Sequence, residues 1–246
     1  MFDGPRAFYE SQLQGFWGLL VVPAVWLLVR LVRGRPAGEG LEPAAARFVD
    51  AFAIVFAVQT LLDPVVTGPV ARALPGPWPT ALSLLFVLLG DFRVFLLVAF
   101  LAGGRDRLRP ALAEAAVLTP IVPIFAWLAV RALGAALGPV PGQVLWLVHE
   151  TSFLVLLVWL RGRVAAREPD PASPRARYLR AVLLYAGTYY ALWALCDVFI
   201  LLGFEWAYAV RVVPNQLYYA LFVPFVHTRF FAASYSATST FAQASR

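Results

Sequence analysis

Residues 80–102 read TALSLLFVLLGDFRVFLLVAFLA, with Asp91 and Arg93 as the only charges. About 20 helical residues cross the roughly 30 Å hydrocarbon core of a bilayer, so this stretch is long enough to span one. The run Leu82–Leu89 does not alternate polar with apolar, which excludes a membrane barrel strand. An open sheet would leave edge backbone groups unpaired in lipid, so the stretch reads as a helix.

Working outward, six further stretches have the same character: 13–33, 48–67, 111–134, 143–161, 179–203 and 207–228. Of the 246 residues, 61% are hydrophobic and 14% are charged. A soluble domain carries about 25% charged residues. Mean hydropathy is +0.74. The expectation is an all-α integral membrane protein, a seven-transmembrane-helix bundle over 1–231. A Ser-, Thr- and Ala-rich tail, 232–246, is expected to be disordered. The longest loop, about 162–178, reads as mobile from its Pro, Asp and Ser content.

All 20 basic residues are arginine. Fifteen fall on alternate loops and the final tail; only Arg6, Arg72, Arg131 and Arg211 fall on the opposite side. The positive-inside rule then places the N-terminus outside and the C-terminus in the cytoplasm of a multi-pass protein of the cell (inner) membrane. The leader carries Asp3 and Glu10, unlike a signal peptide. Helices 2 and 6 each start from a basal arginine and carry a later aspartate, Arg47/Asp63 and Arg180/Asp197. That likeness is a weak sign of a three-plus-one-plus-three parallel repeat.

Composition also limits function. Without lysine there is no amine for a retinal Schiff base. Cys196 is the lone cysteine, so no intrachain disulfide forms. The net charge of +6 sits at membrane borders and does not indicate nucleic acid.

Four acids stand inside apolar stretches: Asp63, Asp91, Glu150 and Asp197. A carboxylate at mid-bilayer costs about 2.5–3.5 kcal/mol on insertion scales, so each needs a partner or a function. Helical spacing supplies companions. Gln59 and Asp63 are four apart; Tyr190, Trp193 and Asp197 share a face, as do Arg211, Asn215 and Tyr218. His149 adjoins Glu150, and Arg93 lies two residues from Asp91. Pro64 and Pro214 stand beside polar residues, where they permit kinks. These residues predict an outward-facing polar cavity with aromatic walls.

Three readings suit such a cavity, and structural pairing of the buried charges stands beside them. The favoured one is binding of a small polar or cationic solute, or protons, for transport or sensing, with aromatic faces favouring a cation. The candidate ligand- or proton-binding residues are Gln59, Asp63, Asp91, Arg93, His149, Glu150, Trp193, Asp197, Arg211, Asn215 and Tyr218. No cofactor is expected in this reading. The second is a membrane-embedded hydrolase near the outer leaflet, with or without a divalent metal on the carboxylates and His149. No HExxH or Gly-x-Ser-x-Gly motif supports it. The third is a structural subunit of a membrane complex. The expected partners are the lipid bilayer, the solute or proton, and a membrane or cytoplasmic protein at the arginine-rich loops. The sequence does not decide whether the chain is an enzyme.

Overall fold

The computed structural model describes residues 3–11, 13–14, 18–34, 36, 41–102, 108–168 and 170–232. Every regular element among them is helical. A short α1 (Pro5–Tyr9) precedes α2 (Gly18–Arg33). Next, α3 (Pro43–Val65) runs into a π-helical segment, Val66–Val70, and is followed by α4 (Trp78–Ala102). A turn at Thr119–Pro120 separates α5 (Leu108–Leu118) from α6 (Ile121–Leu137). The long pair α7 (Gln143–Arg167) and α8 (Pro174–Leu201) comes next. The last stretch is broken into α9 (Trp206–Val210), α10 (Val212–Asn215), a second π segment (Gln216–Leu221) and α11 (222–232).

Helix ends follow local chemistry. Ser173 accepts the Ala176 N–H at 3.0 Å and Pro174 fills the first turn of α8, where its missing N–H costs nothing. Gly138, at φ +91°, ends α6 in a conformation that side chains resist.

One face of α3 is buried at helical spacing: Ala46, Val49, Ala53, Ala57, Thr60 and Asp63. Its small residues permit close helix approach. The α7–α8 pair forms the most extensive interhelical contact, and α4 packs on both. The interior holds Val94, Phe95, Leu97, Phe153, Val182, Tyr189 and Phe222. Outside, Val155, Val158 and Leu184 are each 71% exposed. That apolar exterior, with long helices, is consistent with a polytopic membrane protein.

Among the described residues five helical stretches, not seven, are long and apolar enough to cross a membrane: Pro43–Val70, Ala81–Ala102, Leu108–Leu137, Gln143–Arg167 and Pro174–Leu201. This corrects the seven-transmembrane-helix bundle. The expected helix at 13–33 contains α2, of 16 residues. At 1.5 Å per residue that is about 24 Å, short of a bilayer core. The expected helix at 207–228 is interrupted at Arg211, carries Pro214 and passes into a π segment. The three-plus-one-plus-three repeat has no counterpart in five spans. The loop expected at 162–178 is also shorter, because α7 continues to Arg167 and α8 begins at Pro174. Arg175 bridges Glu42 at 2.8 Å and Glu168 at 3.3 Å across it. The expected tail, apart from Ala232 at the end of α11, lies outside the described residues.

The π segments Val66–Val70 and Gln216–Leu221 each follow a proline, Pro64 and Pro214 respectively. Proline supplies no backbone N–H, and a neighbouring stretch of i→i+5 bonding accommodates the disturbed ladder. In the second segment two carbonyls accept side-chain donors: Leu217 from the Tyr185 hydroxyl at 3.0 Å, and Tyr218 from Arg93.

Candidate functional site

A cavity of about 380 Å³ opens where the start of α7, the end of α8, the middle of α4 and the α9–α10 stretch meet, beneath α1. Asp91, His149, Glu150, Trp193, Arg211, Asn215 and Tyr218 line it. Each is on the wall for a local reason. Gln143, Trp146 and Glu150 recur at three- and four-residue spacing and present one face of α7. Tyr190 and Trp193 do so on α8, as do Tyr208, Arg211, Asn215 and Tyr219 in the broken C-terminal stretch.

The charges are arranged in two groups. In the first, Arg211 lies 2.7 Å from the Asp197 carboxylate and donates to Glu150 at 3.3 Å. Asp197 is fully buried behind Arg211 and does not itself line the cavity. Glu150 does line it, and its Oε2 has no hydrogen-bond partner. In the second group, Asp91 accepts from the Tyr190 hydroxyl, and its other oxygen lies 3.3 Å from His149 Nε2. Tyr190 in turn stacks on Phe153 at 4.0 Å, and Phe153 on Phe95 at 5.2 Å. This aromatic column joins the cavity wall to the apolar interior.

Trp193 donates its indole N–H to Asn215 at 2.9 Å. Its ring meets Tyr218 at 5.1 Å and Tyr190 at 5.7 Å, giving a wall of crossed aromatic faces. At the mouth, Tyr9 of α1 faces Tyr208 at 6.0 Å and lies under the Arg211 guanidinium at 5.6 Å. Arg6 is bonded to Glu10 at 2.9 Å, which pushes the guanidinium pKa up from its ordinary value.

The remaining residues singled out by sequence do not reach the cavity. Arg93 is buried, with its guanidinium between the Tyr218 ring at 4.3 Å and the Phe222 ring at 4.5 Å. Asp63 is buried beside Thr67, whose hydroxyl donates to it at 3.2 Å, and is absent from the lining. Gln59 is likewise absent. Tyr190, expected on the same face as Trp193, lines the cavity, as do Gln143, Trp146, Tyr208 and Tyr219, which the sequence reading did not place there. Their spacing from Glu150, Trp193, Arg211 and Asn215 carries the signal that finds them. Arg6, Tyr9 and Glu10 carry none, since only tertiary folding brings α1 over the mouth.

Among the described residues no group of three or more His, Cys, Asp or Glu side chains is placed to hold a metal ion. The metal-dependent form of the hydrolase reading therefore has no donor set there. The lining also contains no serine, threonine or cysteine. Comparison with known proteins returns no matching family model, no similar curated protein and no similar solved structure.

Proposed function

We propose that this polytopic protein binds a small polar solute in its intramembrane cavity, for transport or sensing. The carrying observation is Glu150, a buried carboxylate on the cavity wall with one oxygen unpartnered. An unmet buried acceptor costs about 1–3 kcal/mol; oxygens of Asp63, Asp91 and Asp197 share that condition, but Asp63 and Asp197 lie off the lining and Asp91 Oδ2 has His149 Nε2 at 3.3 Å. The volume supports the same reading: small-molecule sites are typically about 300–1,000 Å³, with apolar walls and a few convergent polar groups. A lining without serine, threonine or cysteine among the described residues favours binding over hydrolysis through a hydroxyl or thiol nucleophile of that kind.

In this proposal the arginine-rich helix ends face the cytoplasm and the cavity opens toward the opposite face of the cell membrane. Binding is tested in lipid nanodiscs by the intrinsic fluorescence of the cavity tryptophans Trp146 and Trp193. A panel of small polar solutes should quench or shift that signal saturably, and Trp193→Phe should diminish the response. Uptake into proteoliposomes then separates transport from sensing. A panel that leaves both emission and thermal unfolding unchanged refutes the reading.

A further inference from the structure

We infer that the solute is a small organic ammonium ion and that it takes the place of a proton held by the Glu150–Asp197 pair. The inference rests on the binding reading above and names the ligand class for the same cavity.

The charges around the cavity do not balance. Glu150 and Asp197 share the single guanidinium of Arg211. The shorter contact, 2.7 Å, goes to Asp197, against 3.3 Å for Glu150. Among the described residues, the other two arginines at or beside the cavity are committed elsewhere. Arg93 is bonded to the Tyr218 carbonyl between two rings, and Arg6 is bonded to Glu10. A second carboxylate in a low-dielectric interior needs a counter-charge, because an uncompensated buried ion costs several kcal/mol. Only a proton or a bound cation can supply it here.

The geometry makes Glu150 the exchanging member. It lies on the cavity wall with Oε2 unpartnered, whereas Asp197 is sealed behind Arg211. Asp91 Oδ1 accepts from Tyr190, and its Oδ2, which has no hydrogen bond, already has the His149 ring nitrogen 3.3 Å away. The groups facing Glu150 are Asp197 and Cys196 from α8, Arg211 from the α9–α10 turn, and Asp91 from α4 across the cavity. His149 adjoins it, and the hydroxyls of Tyr190, Tyr218 and Tyr219 complete the titratable surroundings. The aromatic faces on the wall attract a cation and offer nothing to an anion. The step balances simply: the protonated Glu150 carboxyl releases H⁺ to water as R–NH₃⁺ forms an ion pair with the carboxylate. No covalent bond to the solute forms.

Three probes of one shape separate the possibilities: benzylammonium, benzyl alcohol and benzoate. They are titrated into full-length protein in nanodiscs of phosphatidylglycerol, a lipid whose headgroup carries no amine, in weak buffer with a pH dye. The expected result is saturable benzylammonium binding, with about one proton released per cation when Glu150 starts protonated. Affinity should fall about tenfold per pH unit on acidification in that range. Glu150→Gln should weaken binding at least about tenfold and abolish proton release. Glu150→Asp, which keeps the carboxylate, should retain release and guards against a folding defect in the glutamine variant. Equal or tighter binding of benzyl alcohol or benzoate overturns the inference but leaves the solute-binding reading standing. Cation binding without proton release overturns the exchange. Failure of all three probes overturns the ammonium inference, while the solute-binding reading falls only if the wider solute panel also leaves emission and unfolding unchanged. Competition by phosphatidylethanolamine supports the ammonium chemistry and identifies a lipid headgroup as its source; benzylammonium binding without such competition assigns it to a free solute.

Discussion

Gly90 should be intolerant of any side chain, including alanine. It lies on α4 immediately before Asp91, facing Tyr218 of the second π segment. A Cβ built on Gly90 would overlap the Tyr218 hydroxyl and Cζ, with Cε1 at 3.1 Å. Rotating the hydroxyl cannot relieve this, since ring atoms are also too close. Nor can the ring retreat freely. It sits 4.3 Å from the Arg93 guanidinium, 5.3 Å from Tyr189, 5.1 Å from Trp193 and 4.6 Å from Tyr219. Overpacking of this kind costs about 1–3 kcal/mol. Gly90→Ala should therefore lower stability by that amount in reversible unfolding from mixed micelles, and should also disturb the cavity wall that Tyr218 forms. The compensating experiment is Gly90→Ala with Tyr218→Leu. Removing the ring should make the alanine nearly neutral, with a coupling of about 1 kcal/mol or more in the double-mutant cycle. Full stability of Gly90→Ala alone, or strict additivity in the cycle, refutes the close approach of α4 to the π segment.

Three further outcomes follow from the buried charges. Arg211→Ala leaves Asp197 and Glu150 without their shared cation and should cost about 3–5 kcal/mol in the same unfolding assay, with much of the loss recovered when Asp197→Leu is added. Arg93→Met removes the donor to the Tyr218 carbonyl and should cost about 1–3 kcal/mol. Arg93→Lys should fall between it and wild type, because an ammonium keeps the charge but loses the planar contact with two rings. Asp50 accepts the Arg30 Nε at 2.7 Å and lies 3.3 Å from His227 Nε2, so Asp50→Ala should cost about 3–5 kcal/mol and increase hydrogen exchange in α2. The pair Arg30→Met with Asp50→Leu should recover stability that Asp50→Ala loses.

Membrane character was legible because it depends on length and apolarity along the chain, and the stretch 80–102 shows both without tertiary information. The number of spans was not. Stretches 13–33 and 207–228 have apolar composition, but the described α2 is 16 residues long, and Arg211 and Pro214 lie in a C-terminal stretch that breaks into short pieces. Composition averages over such breaks. The polar residues show the same division. Asp91, Glu150, Arg211 and Asn215 stand out as costly groups in apolar stretches, and the fold gathers them around one cavity. Asp63 has the same sequence signature yet does not line that cavity. Counting residues gives depth along a helix, whereas rotation about its axis depends on which helices pack beside it. Arg93 illustrates the point: two residues from Asp91, it is turned by about 200° and serves the interior. Asp50 and His227 escaped notice because an acid near an expected helix end reads as interfacial until Arg30 is found on it.

The second π segment gives Tyr218 and Tyr219 a shared consequence. A π turn carries one residue more than the helix around it. Passing that extra residue along the chain advances the following face by about 100°. Tyr218 and Tyr219 are consecutive and both line the cavity. A one-residue register slip would therefore rotate one hydroxyl off the wall while its neighbour takes the vacated direction, preserving an aromatic surface throughout. The same slip would withdraw the Tyr218 carbonyl from Arg93 and offer the next one.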